Sequence, residues 1–471
     1  MSESLQATAA FRVESDQLGA VQVPLDALYG AQTARAVANF QVTGSTLASL
    51  PELLHMLAAI KKAAALANAE TGELSPDLAS AIALACDEVM AGEHFEHFPV
   101  DPLQGGAGTS TNMNMNEVIA ARANAILAGD NPGGVRIHPN DHVNRSQSTN
   151  DAYASAARLA ADMLLGELDK NVSSLIGTFE AKAAQFAAIP KLGRTQLQDA
   201  VPMTVGAELQ AFASTLAQSR AEIAQLRPQL LEINLGGTAI GTGAGASDAY
   251  RMAVLRHLET IVQRPVSRSP DPIAATSDTS GFVASAGVAK RLAIRLGKIA
   301  NDLRLLSSGP RGGFGELHLP AMQPGSSIMP GKVNPVIPEL VNQVCYRVFG
   351  HELTIGLAAD SAQLQLNAMF PVIYLSLSDA IADLRAACRV LEQKCIANLE
   401  VDEKRCRDHL DASTALAVNL VAQLGYAKAA RLAKAALAED LPFLTFLKAK
   451  HPKAAALANP SAMQPLATET Q

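Results

Sequence analysis

Four polar segments carry most of the side chains that could bind or transform a small molecule: Gly105–Asn116, His138–Asp151, Gly193–Thr204 and Gly325–Asn334. They are rich in serine, threonine and asparagine, and they adjoin apolar stretches. Their candidate side chains are hydroxyls, amides and one lysine, namely Thr109, Ser148, Thr149, Asn150, Thr195, Gln196, Ser326, Ser327, Lys332 and Asn334. Together with glycine N–H groups, such donors suit a small ligand with two acidic groups. We therefore predict that the four segments build one shared site.

The segment Gly325–Asn334, GSSIMPGKVN, is the sharpest of the four. Its backbone can present N–H groups to an anion, and Lys332 can hold a carboxylate. A basic Ser326 would need these donors and a nearby cation, because a serine hydroxyl is normally a very weak acid. The same donors would stabilise the dianion formed when a proton leaves the carbon beside a carboxylate. The residue types alone favour a neutral binding role for Ser326. The alternative that the segment is an ordinary flexible loop is not excluded by them.

Two other patterns are compatible with a cofactor or a metal. Gly236–Ser247 is glycine-rich, but its spacing is not G-x-G-x-x-G, and a helix-like stretch stands where a strand is required. A tight interhelical turn is predicted there, and a nicotinamide-dependent oxidoreductase is disfavoured. His94 with His97, and His138 with His142, lack an obvious third ligand, so no metal site is predicted.

Long proline-free stretches rich in alanine and leucine must position these segments. They cover Ala154–Ala188, Gly206–Arg227, Phe282–Ser308 and Val372–Asn398. The first would span about 50 Å as an α-helix, and several such helices indicate a bundle. The chain is therefore predicted to be mainly α, with a mixed, mostly helical domain at 1–145, a central long-helix bundle at 146–404 and a small helical domain at 405–471.

Charge and composition exclude several classes of protein. The 471 residues include 38 basic and 45 acidic side chains, a net charge of −7, which argues against nucleic acid as a partner. Only 18% of the residues are charged and 48% are hydrophobic, so part of the surface is expected to be buried against copies of the chain. The lack of a long apolar run or a signal-peptide pattern predicts no membrane partner and a cytoplasmic location. The five scattered cysteines are expected to be buried thiols.

The sequence also resembles a known family. GSSIMPGKVNP at Gly325–Pro335 is similar to the signature of the aspartase/fumarase superfamily, whose members cleave C–N or C–O bonds and release fumarate. The likeness runs from about Gly19 to the end and includes GGAGTSTNMN, HPNDHVNRSQSTND, GRTQLQDAVPMT, NLGGTAIGTG and LRLLSSGPR. The variants around Gly105, Ser148 and Gly193 resemble aspartate ammonia-lyases more than class II fumarases.

Gln196 supports the same distinction. Fumarases and some aspartases carry histidine at this position, and a neutral amide cannot take a proton from water as an imidazole can. An amide is instead suited to hydrogen-bonding an ammonium group. Neutral Thr109, Asn150 and Gln196 around a leaving amine also avoid the repulsion that lysine or arginine would cause.

The resemblance implies reversible deamination of L-aspartate to fumarate and ammonia, by anti elimination through an aci-carboxylate intermediate. It gives Ser326 the removal of the C3 proton. It gives substrate binding to Thr109, Lys332 and Asn334 in the carboxylate and amino region, to Ser148, Thr149, Asn150 and Thr195 at the β-carboxylate, and to Gln196 near the amino group. Glu339 matches an acidic residue that supports the histidine of fumarases, and only an indirect role is expected for it here.

The family also implies a three-domain, mainly α fold with a long central helical bundle. It implies a homotetramer whose active sites are each built from three subunits. No prosthetic group and no metal ligand is implied, although a divalent metal activates some members. The alternatives are a class II fumarase acting on malate, a lyase acting on a substituted aspartate, and a helical oligomer that has lost its chemistry.

Three departures from the family pattern leave the reaction class unchanged. Phe370 stands at a usual glutamate, Ala154 replaces a proline, and Gly245–Tyr250 differs after the glycine turn. They leave the substrate breadth and the regulation open.

Overall fold

The computed structural model describes residues 10–130 and 135–458, and this part of the chain is mainly α-helical, as predicted. Its helices are α1 Ala31–Asn39, α2 Pro51–Glu70, α3 Pro76–Met90, α4 Thr109–Asp130, α5 Thr149–Gln185, α6 Val205–Leu230, α7 Asp248–Val262, α8 Pro272–Ser277, α9 Ser280–Leu306, α10 Val336–Asp360, α11 Phe370–Leu391, α12 Glu403–Ala412, α13 Val418–Leu424, α14 Tyr426–Ala438, α15 Phe443–Lys450 and α16 Pro452–Ala458. The outer ends of the predicted ranges 1–145 and 405–471 lie outside the described residues.

Short strands pair two by two. They are β1 Phe11–Asp16, β2 Gly19–Pro24, β3 Pro190–Thr195, β4 Gln198–Thr204, β5 Glu232–Ile233, β6 Ser267–Arg268, β7 Leu317–His318 and β8 Glu400–Val401. β1 with β2, β3 with β4 and β7 with β8 are antiparallel, whereas β5 and β6 are parallel. Within residues 10–130 and 135–458, no helix is both long and apolar enough to cross a membrane.

The four long helices predicted from composition are confirmed as α5, α6, α9 and α11, with ends within seven residues of the predicted ones. α10 is a fifth long helix that the composition did not single out. It begins after Pro335 and holds Pro338 in its first turn, where the missing proline N–H costs no helical hydrogen bond. Pro228 lies in the last turn of α6, where its missing N–H removes one helical hydrogen bond close to the helix end.

The chain divides into two compact units, each assembled from three separate stretches. The first contains 1–169, 221–291 and 346–384, and the second contains 170–220, 292–345 and 385–471. The predicted division into three domains stays a prediction.

The core of the first unit is built from aliphatic and aromatic side chains. α2 packs against α3 and α7, and its Leu53 and Leu57 are fully buried. A second group consists of three aromatic rings from α5, α9 and α11. The ring of Phe370 meets that of Tyr153 edge-on at 5.9 Å and that of Phe282 at 5.0 Å. Such edge-to-face pairs stabilise a core beyond their buried area.

The second unit has a core around its C-terminal helices. Leu192 of β3 belongs to a cluster of buried side chains that includes Leu410, Leu416, Phe443 and Phe446. The β3–β4 hairpin is therefore anchored by apolar burial at its base.

All five cysteines are free and buried, as predicted. Burial raises the pKa of Cys395 and that of Cys406 to about 12. These thiols are consequently protonated at neutral pH, and they pack as apolar side chains.

Candidate active site

In the second unit, the Gly325–Asn334 segment forms a closed loop. The Gly325 N–H donates to the Lys332 carbonyl at 2.8 Å, and Asn334 Nδ2 donates to the Gly325 carbonyl at 3.0 Å. A Cβ at Gly325 would lie 2.6 Å from the Lys332 carbonyl oxygen, so the closure requires glycine. Asn334 thus ties together the two ends of the loop that carries Ser326.

Ser326 accepts two backbone hydrogen bonds. The N–H groups of Ile328 and Met329 donate to its Oγ at 3.2 and 3.1 Å. Ser326 is half-buried, whereas Lys332 on the same loop is exposed. Donors two and three residues ahead of a serine form a local side-chain turn. The loop therefore directs two N–H groups at one hydroxyl oxygen.

The β3–β4 hairpin of the same unit presents Thr195 and Gln196 at an exposed tip. Gln196 and Leu197 form its two-residue turn with φ values of +54° and +60°. A turn with positive φ at both central residues matches the twist of a hairpin but favours Asn-Gly. Each non-glycine residue in this left-handed backbone region destabilises the folded state by about 1–3 kcal/mol. Such strain often marks functional sites.

In the first unit, Thr109 begins α4 directly after a tight turn. Gly106, Ala107 and Gly108 all have positive φ, at +88°, +54° and +91°. A Cβ at Gly108 would lie 2.6 Å from the Tyr153 ring, so the loop rests on that ring only because this residue is glycine. Thr109 is exposed, and its Oγ1 donates to the Gly106 carbonyl at 2.8 Å.

Ser148, Thr149 and Asn150 lie at the start of α5. The Ser148 N–H donates to Asp151 Oδ1 at 2.9 Å, and the Asn150 N–H donates to Ser148 Oγ at 3.3 Å. This reciprocal arrangement is a capping box. Asn150 Nδ2 also donates to the Ala239 carbonyl at 2.8 Å. The three polar residues are therefore held at a helix N-terminus, which favours anionic groups.

Asp151 connects α5 to the glycine turn. Its Oδ2 accepts the N–H groups of Gly236 and Thr238, each at 3.0 Å. Burial raises the pKa of Asp151, although these backbone donors oppose the rise. The turn is thus tied to a carboxylate of the same unit, as expected for a structural role. The expectation that no strand precedes Gly236 was wrong, because the short strand β5 does precede it. Its two residues are fewer than a dinucleotide-binding unit needs.

Lys61 lies fully buried in α2 and was not predicted from the sequence. Its Nζ donates to Asn144 Oδ1 and to Gln147 Oε1, each at 3.0 Å. Burial lowers the pKa of Lys61 to about 7. Asn112 and Asn116 donate to the same Asn144 oxygen, at 3.1 and 3.2 Å. This network fixes the loop that leads into Ser148, and nothing in an alanine-rich helix marks its lysine in advance.

The predicted site residues therefore fall into two groups. Thr109, Ser148, Thr149 and Asn150 belong to the first unit, and Thr195, Gln196, Ser326, Lys332, Asn334 and Glu339 belong to the second. Ser326, Lys332 and Asn334 share one loop, and half-buried Glu339 follows in the first turn of α10. Thr195 and Gln196 share the hairpin tip.

The histidine pairs differ from each other. His138 Nδ1 accepts the N–H groups of Asn140 and Asp141, which makes it a turn cap. The expectation that His94 and His97 have no third ligand nearby is corrected, because each could share a cluster with a carboxylate within 4.8 Å.

The Glu88 carboxylate beside His94 already forms ion pairs. Glu88 Oε2 lies 2.8 Å from His94 Nε2, and both Glu88 oxygens accept from Arg122. The Arg122 guanidinium lowers the pKa of Glu88 to about 2. These contacts account for the group of Glu88, Glu93 and His94 as a structural ion pair.

Comparison with known proteins places the chain in a family. The lyase family matches residues 19–350 of the chain. An aspartate ammonia-lyase of Pseudomonas fluorescens is 49% identical over 442 residues, which cover 93% of this chain and 92% of that protein. The chain belongs to the aspartase/fumarase superfamily. It is accordingly an enzyme of the lyase class.

Solved structures of other superfamily members confirm the mainly α fold. One, described as a fumarate lyase:delta crystallin from Brucella melitensis bound to cobalt, is 46% identical with a TM-score of 0.92, covering 96% of this chain and 99% of that chain. A class II fumarase from Schistosoma mansoni is 34% identical with a TM-score of 0.91 and the same coverage. This superfamily member is thus more similar in sequence to the aspartate ammonia-lyase than to the fumarase, as its motifs predicted.

Proposed function

We propose that this carbon–nitrogen lyase converts L-aspartate reversibly into fumarate and ammonia. The observation that carries the proposal is the Ser326 hydroxyl, which two backbone N–H groups meet at 3.2 and 3.1 Å inside the family's signature loop. The 49% identity to an aspartate ammonia-lyase and the amide of Gln196 both favour an amine over a hydroxyl as the leaving group.

The proposed reaction is an anti elimination in two steps. The Ser326 alkoxide takes the C3 proton, and the electron pair of the broken C–H bond moves into the β-carboxylate to give a dianionic aci-carboxylate. That pair then returns to form the C2–C3 double bond while the C2–N bond breaks and its electrons leave with nitrogen. Ser326 finally releases its proton, which balances the ammonia as ammonium. Hydrogen bonds that strengthen with the developing charge would lower the barrier to the first step.

The remaining residues are proposed to bind the substrate. Ser148, Thr149 and Asn150, at the N-terminus of α5, hold the β-carboxylate together with Thr195. Thr109, Lys332 and Asn334 bind the carboxylate and amino region, and Gln196 lies near the amino group. Glu339 acts only indirectly, and no prosthetic group takes part. The cytoplasmic location stays a prediction from the sequence.

A parallel assay of aspartate and malate tests the proposal. We expect fumarate to form from L-aspartate and not from L-malate, before and after dialysis against a chelator. Turnover of malate with inert aspartate would make the protein a fumarase, and faster turnover of a substituted aspartate would identify a related lyase. Activity lost to the chelator and restored by a divalent metal would contradict the absence of a required cofactor.

We further propose that the chain acts as a homotetramer with shared active sites. Tyr346, Leu353 and Leu357 project from one side of α10 and are 63%, 62% and 64% exposed. Spacings of seven and four residues place them on one helix face. A continuous apolar face of this kind, on a chain with few charges, fits burial against a second copy.

Sedimentation of the wild type and of Leu357→Glu measures this assembly. We expect an active tetramer for the wild type, and a smaller, inactive species for the variant. Met252→Glu changes an exposed apolar residue of α7, which is 74% exposed, and should leave the tetramer intact. An active wild-type monomer would exclude sites shared between subunits.

A further inference from the structure

The hairpin tip that carries Thr195 and Gln196 needs an external restraint. Its turn residues, Gln196 and Leu197, have φ values of +54° and +60° and are exposed. A strained backbone keeps its geometry only when the surrounding structure fixes the segments on either side. β3, which leads into the turn, is therefore the element through which the direction of both side chains is set.

Two cations of β3, Lys191 and Arg194, reach the same carboxylate although they are three residues apart and begin on opposite faces of the strand. The register between β3 and β4 shifts between Leu192 and Arg194, where Gly193 of β3 lies opposite two residues of β4, Ala200 and Val201. The extra residue of this bulge therefore belongs to β4. A Cβ at Gly193 would lie 2.8 Å from the Val201 carbonyl oxygen, so this close approach requires glycine.

Both cations converge on Glu316, which is fully buried. Arg194 Nη2 lies 2.7 Å from Glu316 Oε1, and Lys191 Nζ lies 3.2 Å from Oε2. His409 of α12 shares the Oε1 atom, with its Nδ1 at 2.9 Å. Burial by itself would raise the pKa of Glu316, but the neighbouring cations outweigh it and hold the pKa below its usual value. Glu316 is thus an ionised carboxylate that pairs with two cations of β3.

The backbone of Glu316 is equally fixed. Its N–H donates to the Leu306 carbonyl at 2.9 Å, and its carbonyl accepts the Asp402 N–H at 3.0 Å. These two bonds hold the backbone of Glu316 independently of the hairpin. Its carboxylate is therefore a point against which β3 is aligned.

We propose that Glu316 is a positioning residue for the active site. Through Lys191 and Arg194 it fixes β3 and thereby the direction of Thr195 and Gln196. This role rests on the proposed function, in which those two side chains bind the substrate. The hairpin has other anchors, because Lys191 also pairs with Glu208 at 2.6 Å and the Arg194 guanidinium lies 4.3 Å from the Phe314 ring centre. Loss of Glu316 should therefore misdirect the tip without unfolding the unit.

Glu316→Gln tests this role because it keeps the shape of the side chain and removes its charge. We expect kcat/KM for aspartate to fall about 100-fold, the effect of displacing a binding group by about 1 Å. The matched control is Glu392→Gln, a carboxylate of the same unit that accepts from Ser174 and Thr178, and it should stay within about twofold of wild type. A Glu316→Gln enzyme with a lower melting temperature but unchanged kinetics would overturn the proposal.

A double-mutant cycle separates positioning from general damage. In the Thr195→Ala/Gln196→Ala background, Glu316→Gln should cost less than about threefold, because the groups it directs are gone. If Glu316→Gln lowers kcat/KM about 100-fold in both backgrounds, Glu316 does not act through Thr195 and Gln196, and the proposal fails. Arg194→Lys, which keeps the charge but not the planar guanidinium, takes the place of Glu316→Gln in the cycle if the latter does not fold.

Failure of the proposed function would be seen separately. If the wild type converts malate and not aspartate, the aspartate proposal fails, and the same cycle is measured with malate. Coupling between Glu316 and the tip would then still support the positioning role, and its absence would overturn it.

Discussion

Replacing Ser326 with alanine is expected to lower kcat for aspartate by about 1,000-fold, within the range for loss of a general base. The hydroxyl oxygen is the atom that the Ile328 and Met329 N–H groups meet, so its removal leaves those donors without the alkoxide they would stabilise. KM should change less than about tenfold, because the proposed carboxylate-binding groups remain. Steady-state kinetics of fumarate formation measure both quantities.

Ser327→Ala is the matched control, since Ser327 is the neighbouring exposed serine of the same loop. It should keep most of the wild-type activity. Inhibition by fumarate reports whether the loop of the Ser326→Ala enzyme still forms. Exchange of the C3 hydrogen of aspartate with D2O, followed by NMR, isolates the proton-transfer step. A Ser326→Ala enzyme that exchanges this hydrogen at the wild-type rate would place the base elsewhere.

Replacing Phe370 with alanine is expected to lower the free energy of unfolding by about 4 kcal/mol, as for other buried phenylalanines. Phe370 is 3% exposed and fills the space between the Tyr153 and Phe282 rings. Phe370→Glu, which restores the usual family residue, should cost at least as much because a carboxylate loses both ring contacts and becomes buried. Urea unfolding followed by circular dichroism measures these changes.

Phe370→Ala should also disturb the position of Thr109. The Tyr153 ring that packs against Phe370 also supports Gly108, next to Thr109. We therefore expect KM for aspartate to rise in Phe370→Ala at a temperature where the enzyme stays folded. Phe349→Ala is the control, because Phe349 is only half-buried in the same unit. If both variants lose equal stability, the three-ring group is not the source of the effect.

The helices were predictable because their composition is strongly biased over many residues. α5 was placed five residues late, since counting alanine and leucine overlooks polar first turns. Ser148-Thr-Asn-Asp151 is a capping box whose spacing is visible in the sequence, and it would have placed the start of the helix correctly. The signature loop was likewise visible, because glycine, proline and lysine punctuate it within ten residues.

The supports of the site were not predictable in this way. Glu316 lies 122 residues after Arg194 in the chain, and no local pattern relates two residues so far apart. The register between β3 and β4 also shifts opposite Gly193, and a period-two pattern cannot reveal a bulge. The contacts of Lys61 could not be predicted for a similar reason, because its partners Asn144 and Gln147 come from a loop that is distant in the sequence.

The turn at Gln196 and Leu197 has a consequence for engineering this enzyme. A search for thermostable variants would favour Asn-Gly at these positions, because those residues adopt left-handed backbone conformations at lower cost. The first of the two changes would keep a side-chain amide but shorten it by one methylene, and so withdraw it from the substrate amine to which it is assigned. The second would replace only a leucine side chain that is 64% exposed. Selection for heat resistance alone would therefore move the amide proposed to contact the substrate if it changed Gln196, whereas a change at Leu197 would leave that amide in place.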